Sequence, residues 1–406
     1  MAERVGFEPT IRFWRILTFQ ASAFDHSATA PHCSGSARPS GTRCLAQGVK
    51  GWHKRGMKHN TAFVALALLA APLNAEEPAK PVALAPVEIV AAAPAKEWTA
   101  IPASDLLIMD LAADAKGKPR RVVIQLMPAP FSAGWIGNIR KLAAAHWWDG
   151  TSVNRVQDNY VVQWGDASEK KALPKELGRM LESEYETSLL GRLAQQDVTL
   201  ITTPVIERPK LAIASQPADG ENVAYYVLNE YAIEDPGIKS TGFSAGFPVG
   251  YELVDSPPDI SQNAKLVGSL WPVHCYGMVG VGRDMPPNTG TGAELYTVIG
   301  HAPRHLDRNI ALVGRVIEGI EHLSALPRGT GALGFYETAE ERVPIRSVRL
   351  GNDVKELPKF EYLSTTSTSF AAYAEARANR RDAFFIRPAG GADICNIPVP
   401  VRRAKP

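Results

Sequence analysis

Cysteine is scarce in this chain, with four residues in 406. That excludes the small disulfide-dense scaffold. Long apolar runs are missing as well: the most leader-like stretch, residues 61–73, is too short to cross a bilayer as a mature helix. Metal-ligand spacing is absent, since His274, His301, His305 and His322 form no H-E-x-x-H or similar pattern. They read as solvated or satisfied side chains. Nor does charge of one sign dominate. The formal net charge is +2, and residues 1–75 hold nine Lys/Arg against three Asp/Glu, leaving 35 basic and 39 acidic residues in the rest. So balanced a chain gives no case for nucleic-acid binding. A phosphate loop is excluded too, because Thr289-Gly290-Thr291-Gly292 leads into a strand rather than a helix.

What is present is an ordinary globular composition, 45% hydrophobic and 21% charged, long enough for one large or two modest cores. Residues 57–75 read as a secretory signal peptide. Met57-Lys58-His59 opens it, an apolar core follows, and Leu73-Asn74-Ala75 offers small residues for cleavage after Ala75. Residues 1–56 show no period and have no place before a signal peptide, so Met57 is the expected start and 1–56 a spurious upstream extension. The mature protein is then expected in the periplasm of a Gram-negative-type envelope, without stable membrane insertion. It keeps Cys275 and Cys395, which either pair in that oxidising compartment or stay as two buried thiols.

Residues 76–96, rich in Pro and Ala, predict an extended tether. A domain covering 97–350 follows. Residues 121–126 read as a strand, and Ser132 precedes a helix whose Trp135, Ile136, Ile139, Leu142 and Ala143 share one face. Residues 167–239 form an α+β insertion. It should hold an amphipathic helix carrying Leu177, Met180, Leu181, Tyr185, Leu189 and Leu193, then strands at 198–206 and 223–228. Short strands at 294–299, 311–316 and 345–350 are set off by turns, with a helix at 317–326. A mainly-β chain of this kind, with two helices outside the insertion, predicts a closed antiparallel barrel. Residues 351–406 are a C-terminal extension with a helix at about 369–381 and a Pro-rich basic strip.

One stretch stands out: Asn154-Arg155-Val156-Gln157-Asp158-Asn159-Tyr160-Val161-Val162-Gln163-Trp164-Gly165-Asp166. It reads as two strands about an Asx-rich turn, yet contains an arginine and a glutamine that a strand does not need. Around it, in order, come Asn138 and Leu142, Trp148-Asp149-Gly150, Gly277, Pro287-Asn288-Thr289, Leu306-Asp307 and Gly314-Arg315-Val316. With these elements the chain, over roughly 118–350, resembles the cyclophilin-type peptidyl-prolyl isomerases.

The resemblance implies a cyclophilin-like closed antiparallel β-barrel capped by two helices. It also implies cis/trans isomerisation of X-Pro bonds in proline-containing polypeptides, with no cofactor and no metal. Arg155 stands at the family's catalytic arginine. Tyr160, Val161, Tyr296 and Leu306 match its proline pocket, and Gln163 and Asp284 match residues that contact the peptide backbone. Glu294 and His305 take rim positions where Gln and Trp are usual. Other departures are Asn154 for His, Trp164 for Gly, Ile310 for His, and Arg283 and Met285 for alanines. This rewritten rim supports an alternative, a catalytically weak peptide-binding or chaperone module. Gly242-Phe243-Ser244-Ala245-Gly246 fits the hydrolase pattern G-x-S-x-G, but Phe247-Pro248-Val249-Gly250 after it starts a helix poorly.

Overall fold

The computed structural model describes residues 83–188, 198–201, 227–228, 240–254 and 267–405. The expected signal peptide and the extension before it lie outside these residues. Eight strands close into an antiparallel barrel: β1 (Leu106–Leu111), β2 (Arg120–Leu126), β3 (Ser152–Val156), β4 (Val161–Gly165), β5 (Met278–Val281), β6 (Leu295–Val298), β7 (Leu312–Glu318) and β8 (Val343–Leu350). Around the barrel the order is β5-β6-β4-β3-β8-β1-β2-β7, and β7 pairs back to β5. The predicted barrel is what forms. Strand β1 has no counterpart in the sequence reading, because Leu-Leu-Ile-Met-Asp-Leu does not alternate. Both of its faces are covered: Leu107, Met109 and Leu111 join the main core, while Leu106 and Ile108 pack with Ile101 and Phe360.

The helices are α1 (Pro86–Ala92), α2 (Ala133–Ala144), α3 (Glu321–Ser324) and α4 (Thr368–Ala378). In α2 the predicted face is buried, and Asn138 beside it donates to the carbonyls of Gly178 and Thr291 at 2.8 and 3.0 Å. The helix predicted at 317–326 shrinks to α3, because Ile317 and Glu318 stay in β7 and Gly319, with φ of 84°, breaks the chain after them. The tether predicted as extended is instead helical at α1, which packs on α4. Pro86 opens that helix, and Glu88 accepts from the Ala85 N–H at 2.7 Å.

The insertion also departs from expectation. Its predicted amphipathic helix is replaced, over the described residues, by a single turn at Glu182–Tyr185 and a short strand at Thr187–Ser188. Asn138 explains this in part, since it occupies both the N–H and the C=O of Gly178 and keeps them from a helical ladder. Tyr185 stacks on Trp135 with centroids 5.4 Å apart. Strands do form at Val198–Ile201 and Val227–Leu228. They join Thr187–Ser188, Thr241–Ser244, Phe247–Val254 and Val267–Pro272 in a six-stranded sheet, which therefore runs past residue 239. The G-x-S-x-G segment is a hairpin here. Ser244 is fully buried at a strand end, and Ala245 and Gly246 turn with positive φ, so no nucleophile elbow exists.

The C-terminal extension docks onto the barrel. Phe360–Leu363 pairs with Trp98–Ile101 on one side and Val401–Arg403 on the other, so the basic strip becomes an edge strand. Arg402 lies 3.6 Å over the Trp98 ring. Arg315 of β7 joins barrel, insertion and extension. Its guanidinium donates to Gln125 Oε1 at 2.8 and 3.0 Å and to the Gly246 carbonyl at 2.7 Å, between the rings of Phe247 and Tyr362. Cys275 and Cys395, whose pairing the sequence leaves open, form a disulfide across 120 residues.

Closing so long a loop constrains the unfolded chain. Cys395→Ser is expected to lower stability by about 2–4 kcal/mol, read as a fall in urea midpoint. Dithiothreitol should produce that fall in wild type and none in the variant. An unchanged midpoint would mean that the sheet and α4 hold the extension without the covalent link.

Candidate active site

Alternation on β4 and β6 decides which side chains reach the surface of the barrel. The register pairs Val161 with Val298 and Gln163 with Tyr296 on the outer face, while Val162, Trp164 and Leu295 enter the core. Trp164, 1% exposed, is therefore a core residue and does not block the groove. On β3 the register shifts between Val153 and Arg155. Asn154 is the extra residue of this bulge, which lets Val153 and Val156 both face the core while Arg155 pairs with Gln163 on the outside.

The residues expected to form the proline pocket come together in an apolar cluster separate from the barrel core. Val161, Tyr296, Val298 and Leu306 are buried in it, with Tyr160 and Ile310 packed alongside. His305, exposed, stacks on Tyr160 with centroids 6.4 Å apart. Partial desolvation of its ring lowers the His305 imidazole from its ordinary value even though the residue is exposed, and burial lifts the Tyr160 hydroxyl. Tyr296 is fixed by a chain the sequence did not reveal. Its hydroxyl lies 2.8 Å from His274 Nε2, and His274 Nδ1 lies 2.8 Å from Asp307 Oδ1. Asp307 also accepts from Arg304 Nε at 2.8 Å. A carboxylate can only accept, so Nδ1 carries a proton; in the neutral imidazole Nε2 then accepts and Tyr296 donates. Burial raises the Tyr296 hydroxyl well above its ordinary range.

Arg155 lies next to this cluster, 1% exposed. Its Nε donates to the Leu333 carbonyl at 2.9 Å and its Nη1 to Gln163 Oε1 at 3.2 Å, while Nη2 meets Gln157 Oε1. The guanidinium lies over Tyr160 and Phe335, 5.6 and 5.3 Å from their centroids. Burial pulls its pKa down to about 10, which leaves it charged at neutral pH. Leu333 and Phe335 belong to a loop between α3 and β8 that has no periodic signal, so sequence reasoning could not place them. Gln157 is two residues along the chain from Arg155, just past the end of β3, and the sequence reading gave it no role.

Gln163, Asp284 and Glu294 line a neighbouring cavity of about 580 Å³, together with Asn154, Arg283, Phe335 and Arg342. The Asp284 Oδ1 accepts from the Met285 N–H of its own turn at 2.7 Å. Glu294 reaches over Gly165, where any Cβ would strike its carboxyl, and accepts from the Asp166 N–H at 2.7 Å. Burial lifts its pKa to about 7, against the opposing pull of the Asp166 N–H and Asn154. Among the described residues, no group of three or more His, Cys, Asp and Glu is placed to hold a metal ion.

A folded-state pKa raised from about 4.5 to about 7 means that folding takes up a proton on Glu294. Its contribution is favourable below pH 4.5 and is lost as pH rises through 7. Glu294→Gln should therefore be more stable than wild type at pH 8, by roughly 3 kcal/mol at most, with the gap shrinking towards pH 5. Urea midpoints across this range test it; a gap independent of pH would refute the burial of a titrating carboxyl.

The comparisons with known proteins follow this geometry. The family model described as cyclophilin type peptidyl-prolyl cis-trans isomerase/CLD matches residues 118–350, more than half of the chain. Among solved structures, the cyclophilin AquaCyp293 from Hirschia baltica is 20% identical, with a TM-score of 0.49 over 76% of this chain and 95% of that one. A cyclophilin type peptidyl-prolyl cis-trans isomerase of Cryptosporidium parvum, solved in the presence of the dipeptide Ala-Pro, is 10% identical. Its TM-score is 0.29 over 60% of this chain and 98% of that one. No curated protein matches the chain. Matched over more than half its length, the chain belongs to the cyclophilin-type peptidyl-prolyl cis/trans isomerases.

Proposed function

We propose that this isomerase acts on X-Pro bonds of periplasmic polypeptides, with Arg155 stabilising the twisted prolyl amide. The observation that carries the proposal is the buried guanidinium beside the apolar cluster of Tyr160, Val161, Tyr296 and Leu306, with Gln163 bonded to it. Rotation about a prolyl amide faces a barrier of about 18–20 kcal/mol because resonance resists twisting. As resonance is lost, the prolyl nitrogen regains its lone pair, and a fixed positive charge near it lowers the barrier. A guanidinium whose pKa is about 10 is charged throughout the working range. The family has no need of a nucleophile, and none is invoked here. The proline ring would lie against the apolar cluster, with the peptide backbone along Gln163.

The periplasmic location rests on the signal-like segment at 57–75 and is supported by the Cys275–Cys395 disulfide, which suits an oxidising compartment. Mature protein recovered from a periplasmic fraction should begin at Glu76; a chain retaining residues 57–75 in the cytosol would sink this part.

The chaperone-like reading is favoured by one observation. Arg155 is held by three oxygens and covered by Phe335, so a substrate must displace the Leu333 or Gln157 contact to reach it. NMR exchange on an Ala-Pro peptide separates the two. The isomerase reading expects acceleration that falls at least about tenfold in Arg155→Ala, or about 1.4 kcal/mol of barrier. Binding without acceleration by wild type would establish the peptide-binding module instead.

A further inference from the structure

We infer that the cavity beside Gln163 receives a lysine or arginine side chain of the bound polypeptide, two residues from the proline, with Glu294 as its counter-charge. The inference rests on the peptide-groove reading above and names what that groove selects.

Position comes first. The cavity starts where the wall of Arg155 ends, since Gln163, Leu333 and Phe335 contact or flank both. Glu294 and Tyr296 stand on the same face of the β6 segment, two residues apart, which is roughly 7 Å along an extended chain. A bound extended peptide advances by the same amount over two residues. With the proline against Tyr296, its second neighbour therefore stands over Glu294.

Charge comes next. Five acidic residues line the cavity, Asp166, Glu169, Asp284, Glu294 and Glu337, against Arg283 and Arg342. Asp166 is occupied by its own turn, accepting from Ser168 and from the N–H groups of Lys170 and Lys171. Arg283 is engaged elsewhere, with Nε on the Asn309 carbonyl at 3.0 Å and Nη1 on the Asp284 carbonyl at 2.8 Å. The charges that act most on Glu294 are those of Asp166 and Glu169, and both are negative. A carboxylate taken from water among like charges is unfavourable unless a cation joins it. Asn154, 7% exposed, adds an amide oxygen with no hydrogen-bond partner among the described residues. Leu333, Phe335 and Tyr336 supply an apolar wall for the stem of a long basic side chain.

The test uses the mature chain and blocked peptides with one proline. In one pair, lysine or norleucine stands two residues before the proline; in a second pair, two residues after it. NMR exchange gives kcat/KM for each. One pair should show about a tenfold preference for lysine at pH 8. The preference should shrink at pH 6, where Glu294 is protonated, and approach one in Glu294→Gln at both pH values. Equal acceleration of lysine and norleucine peptides in both pairs would overturn the inference and leave the isomerase reading intact. So would a lysine preference that survives in Glu294→Gln. If no peptide is accelerated, fluorescence anisotropy decides: tighter binding of a lysine peptide, lost in Glu294→Gln, would sustain the cation site while the isomerase reading falls. Equal binding would remove both.

Discussion

The site depends on the period of two in a closed barrel, and on one place where that period is broken. Every strand residue faces either the packed interior or the outside, so a slip of one residue exchanges the two sets. On β4 and β6 the alternation is regular, and it delivers Val161, Gln163, Tyr296 and Val298 to one outer patch. On β3 it cannot be, because Val153 and Val156 both belong to the core. The extra residue Asn154 absorbs the mismatch and leaves Arg155 facing Gln163. Bulges near active sites often re-aim a side chain in this way.

Two arginines, Arg155 and Arg315, are buried, and the partners described for both are amide or carbonyl oxygens and aromatic rings. Such partners compensate for lost hydration without neutralising the charge. At Arg315 the outcome is architectural, because its donors reach three parts of the fold. At Arg155 the proposed outcome is chemical. A charge that is fixed and poorly hydrated exerts more influence on a nearby amide than one in water. The guanidinium is planar and holds its donors in a rigid fork, which suits both tasks better than an ammonium.

The sequence shows the barrel and most of the site because both depend on local patterns. Arg155 and Gln163 were visible as polar residues in strand-like surroundings, and Tyr160, Val161, Tyr296 and Leu306 through the resemblance. Asp284, matched to a residue whose main chain pairs with the peptide, lines the cavity beside Gln163, and its Oδ1 accepts from its own turn. What was not legible depends on distant partners. Strand β1 looks patternless because the extension covers its second face. The helix expected from Leu177 fails in part because Asn138, forty residues earlier, holds Gly178 by both backbone groups. His274 was read as a solvated or satisfied histidine; it is satisfied, and one of its partners is the hydroxyl of Tyr296 in the apolar cluster.

The docking of the extension separates two boundaries that are easily confused. The family-model match ends at residue 350, yet Tyr362 lies beside Arg315, Phe360 covers the outer face of β1, and Cys395 is bonded to Cys275 next to His274. The span that the family model matches is thus shorter than what folds as a unit. A chain cut after residue 350 would uncover the buried Arg315 and the apolar outer face of β1, and it would lose the covalent brace beside the histidine that holds Tyr296.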